Sequence, residues 1–396
     1  MTRRQVVAAV VLVLTGAGCA GGGGRAASAP RPHEHAPTRG AGSIARTMTA
    51  SVGVLGGEPG GISADRAGIV AAIDEERVVS LDQRGDRLWS SAVRGAARGW
   101  PWMGDGMVVI PTLVSGGSGG CVALDRATGA RRWSYQERGA DGVAVASAGP
   151  DVYCALGDGV VVAIERATGA RRWRAVLEPS VSRSLASVSE RSAFAVDSTT
   201  HTLALTVWFA GHPYLSLRRL DTGAERGLVD LLDAGSASSP VAIRPGLLAV
   251  GASEPGHVCT IDLRPQPVRA PACVAVPAPT GFDPSAIPVV SGHTLVITSK
   301  DGWVIAIDTA RLKVLWSVRT PAPILDSHPV VVGPDVLVAD WARVPWLLRL
   351  RDGAKISGPS VEGAVIATAA DAAGGFDVAV RGGAHAGIER WTQSGA

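Results

Sequence analysis

The segment VALDRATGARRW, residues 122–133, returns forty residues later as VAIERATGARRW, residues 162–173. A phrase repeated at such an interval marks a repeat architecture. Working outward, the frame recurs with drift from Asp82 to Trp89, at Asp221 to Gly223, at Asp262, from Asp308 to Trp316, at Arg351 to Gly353 and at Glu389. With the acidic position, or Arg351 in its place, as marker, the steps are 43, 40, 56, 41, 46, 43 and 38 residues, a mean near 44. Each unit also has an upstream half. Val241, Val289 and Val330 each follow a proline and open an apolar run, and a second run follows at 247–250, 294–297 and 335–338. Period-two alternation bounded by Gly, Pro and Asp predicts antiparallel strands, four in each unit. That is the content of one β-propeller blade. No unit sustains the i, i+3, i+4, i+7 pattern of a helical solenoid.

Residue roles follow from the blade. Gly129 and Gly169 fall where a tight hairpin needs positive φ, which glycine adopts without penalty. Trp133 and Trp173 are placed to lie across the seam to the next blade, covering about 150–250 Å² each. Asp125 and Glu165 are expected to accept hydrogen bonds from turn backbone groups. With Ala123, Ala163, Asp82, Trp89, Asp308 and Trp316, these residues are expected to be structural. Eight markers predict eight four-stranded blades in an all-β fold, with seven as the alternative. Few residues follow Glu389, so the last sheet is short of a strand, and residues 44–51 are placed to complete it. Closure of that kind removes free sheet edges.

The pattern A-x-[DE]-x-x-x-G-x-x-x-W, intact at 123–133 and 163–173, resembles the tryptophan-docking motif of PQQ-like (pyrroloquinoline-quinone-type) β-propellers. The resemblance covers nearly all of residues 43–396, and in size and blade count it is nearest to the outer-membrane assembly lipoproteins of the BamB type. That family implies a cofactor-free scaffold whose loops bind partner proteins. The PQQ dehydrogenases of the superfamily imply instead a pair of adjacent cysteines and a calcium site using Glu, Asn and Asp. This chain has no adjacent cysteines and no asparagine.

Residues 1–18 carry Arg3 and Arg4, an apolar run from Val6 to Leu14 and small residues up to Gly18, the layout of an export signal. The following Cys19 resembles the lipidated cysteine of a bacterial lipobox, although Gly16 stands where an aliphatic residue is usual. An ordinary secretory signal is the alternative. Residues 19–42 are rich in Gly, Ala and Pro and read as a flexible tether, leaving 43–396 as the propeller. An oxidising destination permits disulfides. Cys259 and Cys273 are placed to close one hairpin-like loop, whereas Cys121 and Cys154, in neighbouring blades, are either bridged or free.

Composition narrows the function. A net charge of +3, two units of which lie in the leader, is too weak for sequence-independent nucleic-acid binding. No G-x-S-x-G, P-loop or H-E-x-x-H signature occurs, and the histidines after residue 200 have no metal-ligand spacing. Trp100-Pro101-Trp102, Trp341 with Trp346, and the stretch Phe209 to Tyr214 are candidate contact surfaces, each weighed against a role in packing between blades. The reading is a non-catalytic, monomeric, lipid-anchored envelope protein without a cofactor, binding unidentified envelope proteins. A ligand-sensing propeller and a PQQ-dependent dehydrogenase are the alternatives.

Overall fold

The structure, a computed structural model, describes residues 44–51 and 59–393 apart from internal segments, of which 178–192 and 277–286 are the longest. The expected leader at 1–18, the tether at 19–42 and the expected lipidation site Cys19 lie outside the described residues. Those described fall in one compact unit, Pro37–Ala396. Among the described residues, thirty-two strands form eight four-stranded antiparallel sheets. Seven sheets are consecutive in sequence, at 59–92, 102–138, 142–176, 195–230, 241–275, 289–319 and 330–356. In the eighth, three C-terminal strands between 364 and 393 take Ile44–Ser51 as their fourth. Ile44 pairs with Gln393 and Ser51 with Gly387, so the first described strand closes the ring on the last. The first strands of the eight sheets touch one another in a closed cycle around the axis. This is an eight-bladed β-propeller.

The core is divided among the seams. Eight apolar clusters occur, one between each pair of neighbouring blades. This explains a departure from simple alternation. The second and third strands are apolar on both faces, as in Asp151–Leu156, which is buried throughout. A radial sheet is covered on each side by the next blade, so both faces of its middle strands must be apolar. The fourth strands are the ones that turn one face to solvent, as in Arg131–Arg138, where Trp133 is the buried position.

The repeated phrase sits at the turn between the third and fourth strands. Ala123 lies opposite Trp133, Ala163 opposite Trp173 and Ala306 opposite Trp316. A methyl group there leaves room across the ladder for an indole. One step beyond each pair the register shifts by a bulge. Consequently Arg131 and Arg132 are both exposed, as are Arg171 and Arg172, although regular alternation would turn one of each pair inward.

Three of the eight markers are displaced. Asp125 and Glu165 accept, through their backbone carbonyls, the N–H of the glycine four residues on. In the fourth and seventh blades the same bond runs from Gly223 to Arg219 and from Gly353 to Arg349. Those arginines, and not Asp221 and Arg351, occupy the repeat position. Glu389 faces Val378 within its strand instead of ending it. At the turns of the fourth and seventh blades side-chain charge drifts because backbone bonds hold the turn.

Candidate functional site: seams and turn face

Each intact seam uses one device. Trp89 Nε1 donates to Arg126 O at 2.9 Å, Trp133 Nε1 to Arg166 O at 2.8 Å and Trp173 Nε1 to Leu220 O at 2.9 Å. Trp316 Nε1 donates to Leu350 O at 2.8 Å. The acceptor is always the residue after the end of the next blade's third strand. The indole also lies on that blade's turn glycine. A Cβ on Gly129 would meet Trp89 at 2.6 Å, and one on Gly169 would meet Trp133 at 2.5 Å. These glycines are required twice over, by φ values of +71° and +77° and by the ring above them. The sequence signalled the first requirement only.

At two seams without the docked indole, arginine supplies the donor. Arg226 Nη2 reaches Leu263 O at 2.8 Å across the seam from the fourth blade to the fifth. Arg390, in the eighth blade, donates to Gln83 O of the first and is held by the buried carboxylate of Asp377 at 2.9 Å. Sequence reasoning missed both, because neither resembles tryptophan.

A second layer is ionic. Arg126, itself buried, forms a fork with Asp65 at 2.8 and 3.0 Å and donates to Ser80 Oγ at 2.6 Å. Burial pushes the Asp65 carboxyl up, but the Arg126 guanidinium and turn amides outweigh it and hold the group below its usual range. Arg166, at the equivalent position one blade on, pairs with Asp105. Both arginines stand in the repeated phrase immediately after the acidic position, a signal that was available. Asp125 Oδ1 accepts from the amides of Ala127 and Thr128, each at 3.0 Å, and with Arg132 its pKa falls to about 2. Glu165 accepts instead from the Thr168 hydroxyl at 2.6 Å and from Arg172 at 2.9 Å. Its longer side chain carries the carboxylate past the turn amides. Asp308 accepts from the amides of Ala310 and Arg311 at 2.9 and 3.0 Å, and Asp82 from those of Arg84 and Asp86 at 2.8 and 2.9 Å.

The structure pairs Cys259 with Cys273, directly opposed on adjacent strands, and Cys121 with Cys154 across the seam between the second and third blades. The aromatic candidates divide. Phe209 and Tyr214 pack together with ring centroids 5.6 Å apart, and Phe209 belongs to the core of a seam. Trp102 packs on the core between the second and third blades. Trp346 donates to Asp340 at 3.0 Å and carries Lys355 Nζ 3.8 Å over its ring, while Trp341 is 59% exposed. Trp100, ahead of the second blade, meets His328, ahead of the seventh, edge to face at 4.6 Å. Those blades are not neighbours, so the contact spans the axis. Desolvation lowers the His328 pKa to about 4.

A quinone bound with a divalent cation needs converging oxygen ligands. Among the described residues no three His, Cys, Asp or Glu side chains converge in this way, and asparagine is absent from the sequence. The four cysteines after Cys19 form bridges between strands and none is adjacent to another. The described residues therefore do not fit that group. No helix among them is long and apolar enough to cross a membrane.

Docked indoles, turn glycines and ring closure together define a PQQ-like eight-bladed propeller. The family model described as outer membrane protein assembly factor BamB matches residues 34–269 and, in an overlapping alignment, 157–372, and the chain belongs to that family. No curated protein matches the sequence. Among solved structures, BamB from Moraxella catarrhalis is similar with a TM-score of 0.63 at 20% identity, covering 85% of this chain and 94% of that one. The computationally designed Ika8 protein gives 0.63 at 15% identity, covering 87% and 99%. A europium-containing methanol dehydrogenase gives 0.50 at 13% identity, covering 72% of each chain. At such identities these likenesses establish the fold alone.

Proposed function

We propose that this chain is a non-catalytic scaffold of the cell envelope, exported by residues 1–18, lipidated at Cys19 and joined by the tether at 19–42 to a monomeric propeller that binds envelope proteins. Membership of the BamB family across residues 34–372 carries this reading. The closed ring supports it, because seam indoles, buried ion pairs and a bridge between blades brace the frame that presents the loops. The ligand-sensor alternative has no favouring observation among the described residues. The dehydrogenase alternative has the fold likeness to a methanol dehydrogenase but not the donor set. Crosslinking in the native membrane tests the proposal and is expected to yield discrete protein adducts. After a high-salt wash, which removes purely electrostatic contacts, Cys19→Ser is expected to release the chain from the membrane fraction while the parent chain stays bound. Dye-linked alcohol oxidation by the chain supplied with quinone and calcium would overturn the scaffold reading.

A further inference from the structure

Two ends of the propeller differ in how their charges are used. The turns between first and second strands and those between third and fourth strands emerge at the same end, as the bonds from Arg126 to Asp65 and from Arg166 to Asp105 require. At this turn face the carboxylates are largely spent. Asp65, Asp105, Asp125, Asp151, Glu165, Asp221, Asp262, Asp308 and Asp352 each pair with an arginine. Asp82 and Asp197 accept from turn amides, and Asp86 is the exposed carboxylate left between Arg84 and Arg87. Exposed cations remain that form no ion pair: Arg66, Arg84, Arg87, Arg131, Arg244 and Lys313. They lie in the first, second, fifth and sixth blades, spread around the ring instead of converging on a pocket.

A second observation comes from exposed apolar side chains. Leu88 and Leu315, 50% and 46% exposed, occupy the same repeat position, one residue before Trp89 and Trp316. Leu88 follows Arg87 directly, and Leu315 stands two residues from Lys313. Leucines beside unpaired cations, distributed around one rim, match a planar array of anions with apolar material beneath it.

The geometry points to the turn face as a docking surface for anionic phospholipid headgroups, laying the propeller on a membrane independently of any lipid at Cys19. The contact is electrostatic and shallow: the guanidinium and ammonium groups meet headgroup phosphates while Leu88 and Leu315 enter the interface. It leaves the opposite end, where Trp341 is exposed, free for proteins.

The test is co-sedimentation of the full chain carrying Cys19→Ser with vesicles of phosphatidylcholine, with or without phosphatidylglycerol. Binding is expected only to the anionic vesicles and is expected to vanish at high salt. The variant Arg87→Glu/Arg131→Glu is expected to weaken it by about tenfold or more. Arg94→Glu/Arg138→Glu changes net charge equally at the opposite end, and is expected to leave binding within about twofold. Leu88→Ser/Leu315→Ser, which leaves charge unchanged, is expected to weaken binding severalfold. The proposal is overturned by absence of anionic-vesicle binding, by equal losses in the two arginine variants, or by poly-glutamate displacing the vesicles at matched charge, which would assign the face to an acidic protein. Unchanged circular dichroism in each variant separates lost binding from lost folding. Retained adducts in the crosslinking experiment distinguish failure of this inference from failure of the scaffold reading.

Discussion

The seam between the second and third blades and the seam between the fourth and fifth share one backbone frame and differ in chemistry. In the first, Trp133 lies on Gly169 and donates to Arg166 O, while Arg166 pairs with Asp105 and Cys121 is bridged to Cys154. In the second no indole is present, and the Arg226 guanidinium reaches both Thr200 O and Leu263 O. What recurs is an acceptor carbonyl at a fixed place in the hairpin and a donor brought to it from the preceding blade. An indole adds apolar area to that bond, and a guanidinium adds further hydrogen bonds in its place. The repeat is therefore a rule about backbone geometry, with tryptophan as its commonest expression here.

The comparison can be broken most directly at its two donors. Trp133→Ala removes a large buried side chain and is expected to cost about 3–5 kcal/mol by calorimetry. Arg226→Ala leaves carbonyls near solvent and is expected to cost about 1–3 kcal/mol. Equal costs would show that area adds nothing to the bond. The ring-closing seam sets an upper reference. Arg390→Met removes the guanidinium that pairs with the buried Asp377 carboxylate and is expected to cost about 3–5 kcal/mol, with Asp377→Asn added to it restoring part of the loss.

Disulfides sharpen the contrast next. The bridge from Cys121 to Cys154 spans 33 residues and joins two blades, whereas that from Cys259 to Cys273 spans 14 within one. In the chain-entropy account their removal costs about 4 and about 3 kcal/mol. Cys121→Ala/Cys154→Ala is therefore expected to lower the melting temperature more than Cys259→Ala/Cys273→Ala. The reverse order would place the weaker constraint between the blades.

The smallest effect concerns the contact across the axis. His328 is held below its ordinary pKa, at about 4, by desolvation. Its neutral form is favoured in the fold, so the stabilisation is fully present above pH 6.5. It declines as pH falls towards 4, by at most about 3 kcal/mol. Denaturant titrations at pH 7 and pH 4.5 are expected to differ less for His328→Phe than for the parent chain. An unchanged slope would show that other groups set the acid response.

Much of the fold was legible because the repeat constrains the chain locally. Gly129 and Gly169 announce a turn, Trp133 and Trp173 a seam, and the shortage of chain after Glu389 a borrowed strand. Of the candidate surfaces less was legible. The arginine after each acidic position was present in the repeated phrase, yet its use depends on Asp65 and Asp105, 61 residues earlier in sequence. Arg390 meets a carbonyl 307 residues away. No local pattern encodes such a partner. Markers chosen by charge slipped at Asp221 and Arg351 because solvent tolerates either sign of charge at a turn that backbone bonds hold, and at Glu389 because that residue lies buried within its strand.

By itself the sequence determined strand periodicity and the repeat, and it pointed to eight blades over seven and to residues 44–51 as the closing strand, since each follows from short-range pattern and repeat spacing. Only the tertiary structure decided which carbonyl each donor meets, which arginines are neutralised and which remain free, and that Trp100 crosses the axis to His328. Those outcomes depend on which distant turns the closed ring brings within a few ångströms of one another, and distance in space is not written in spacing along the chain.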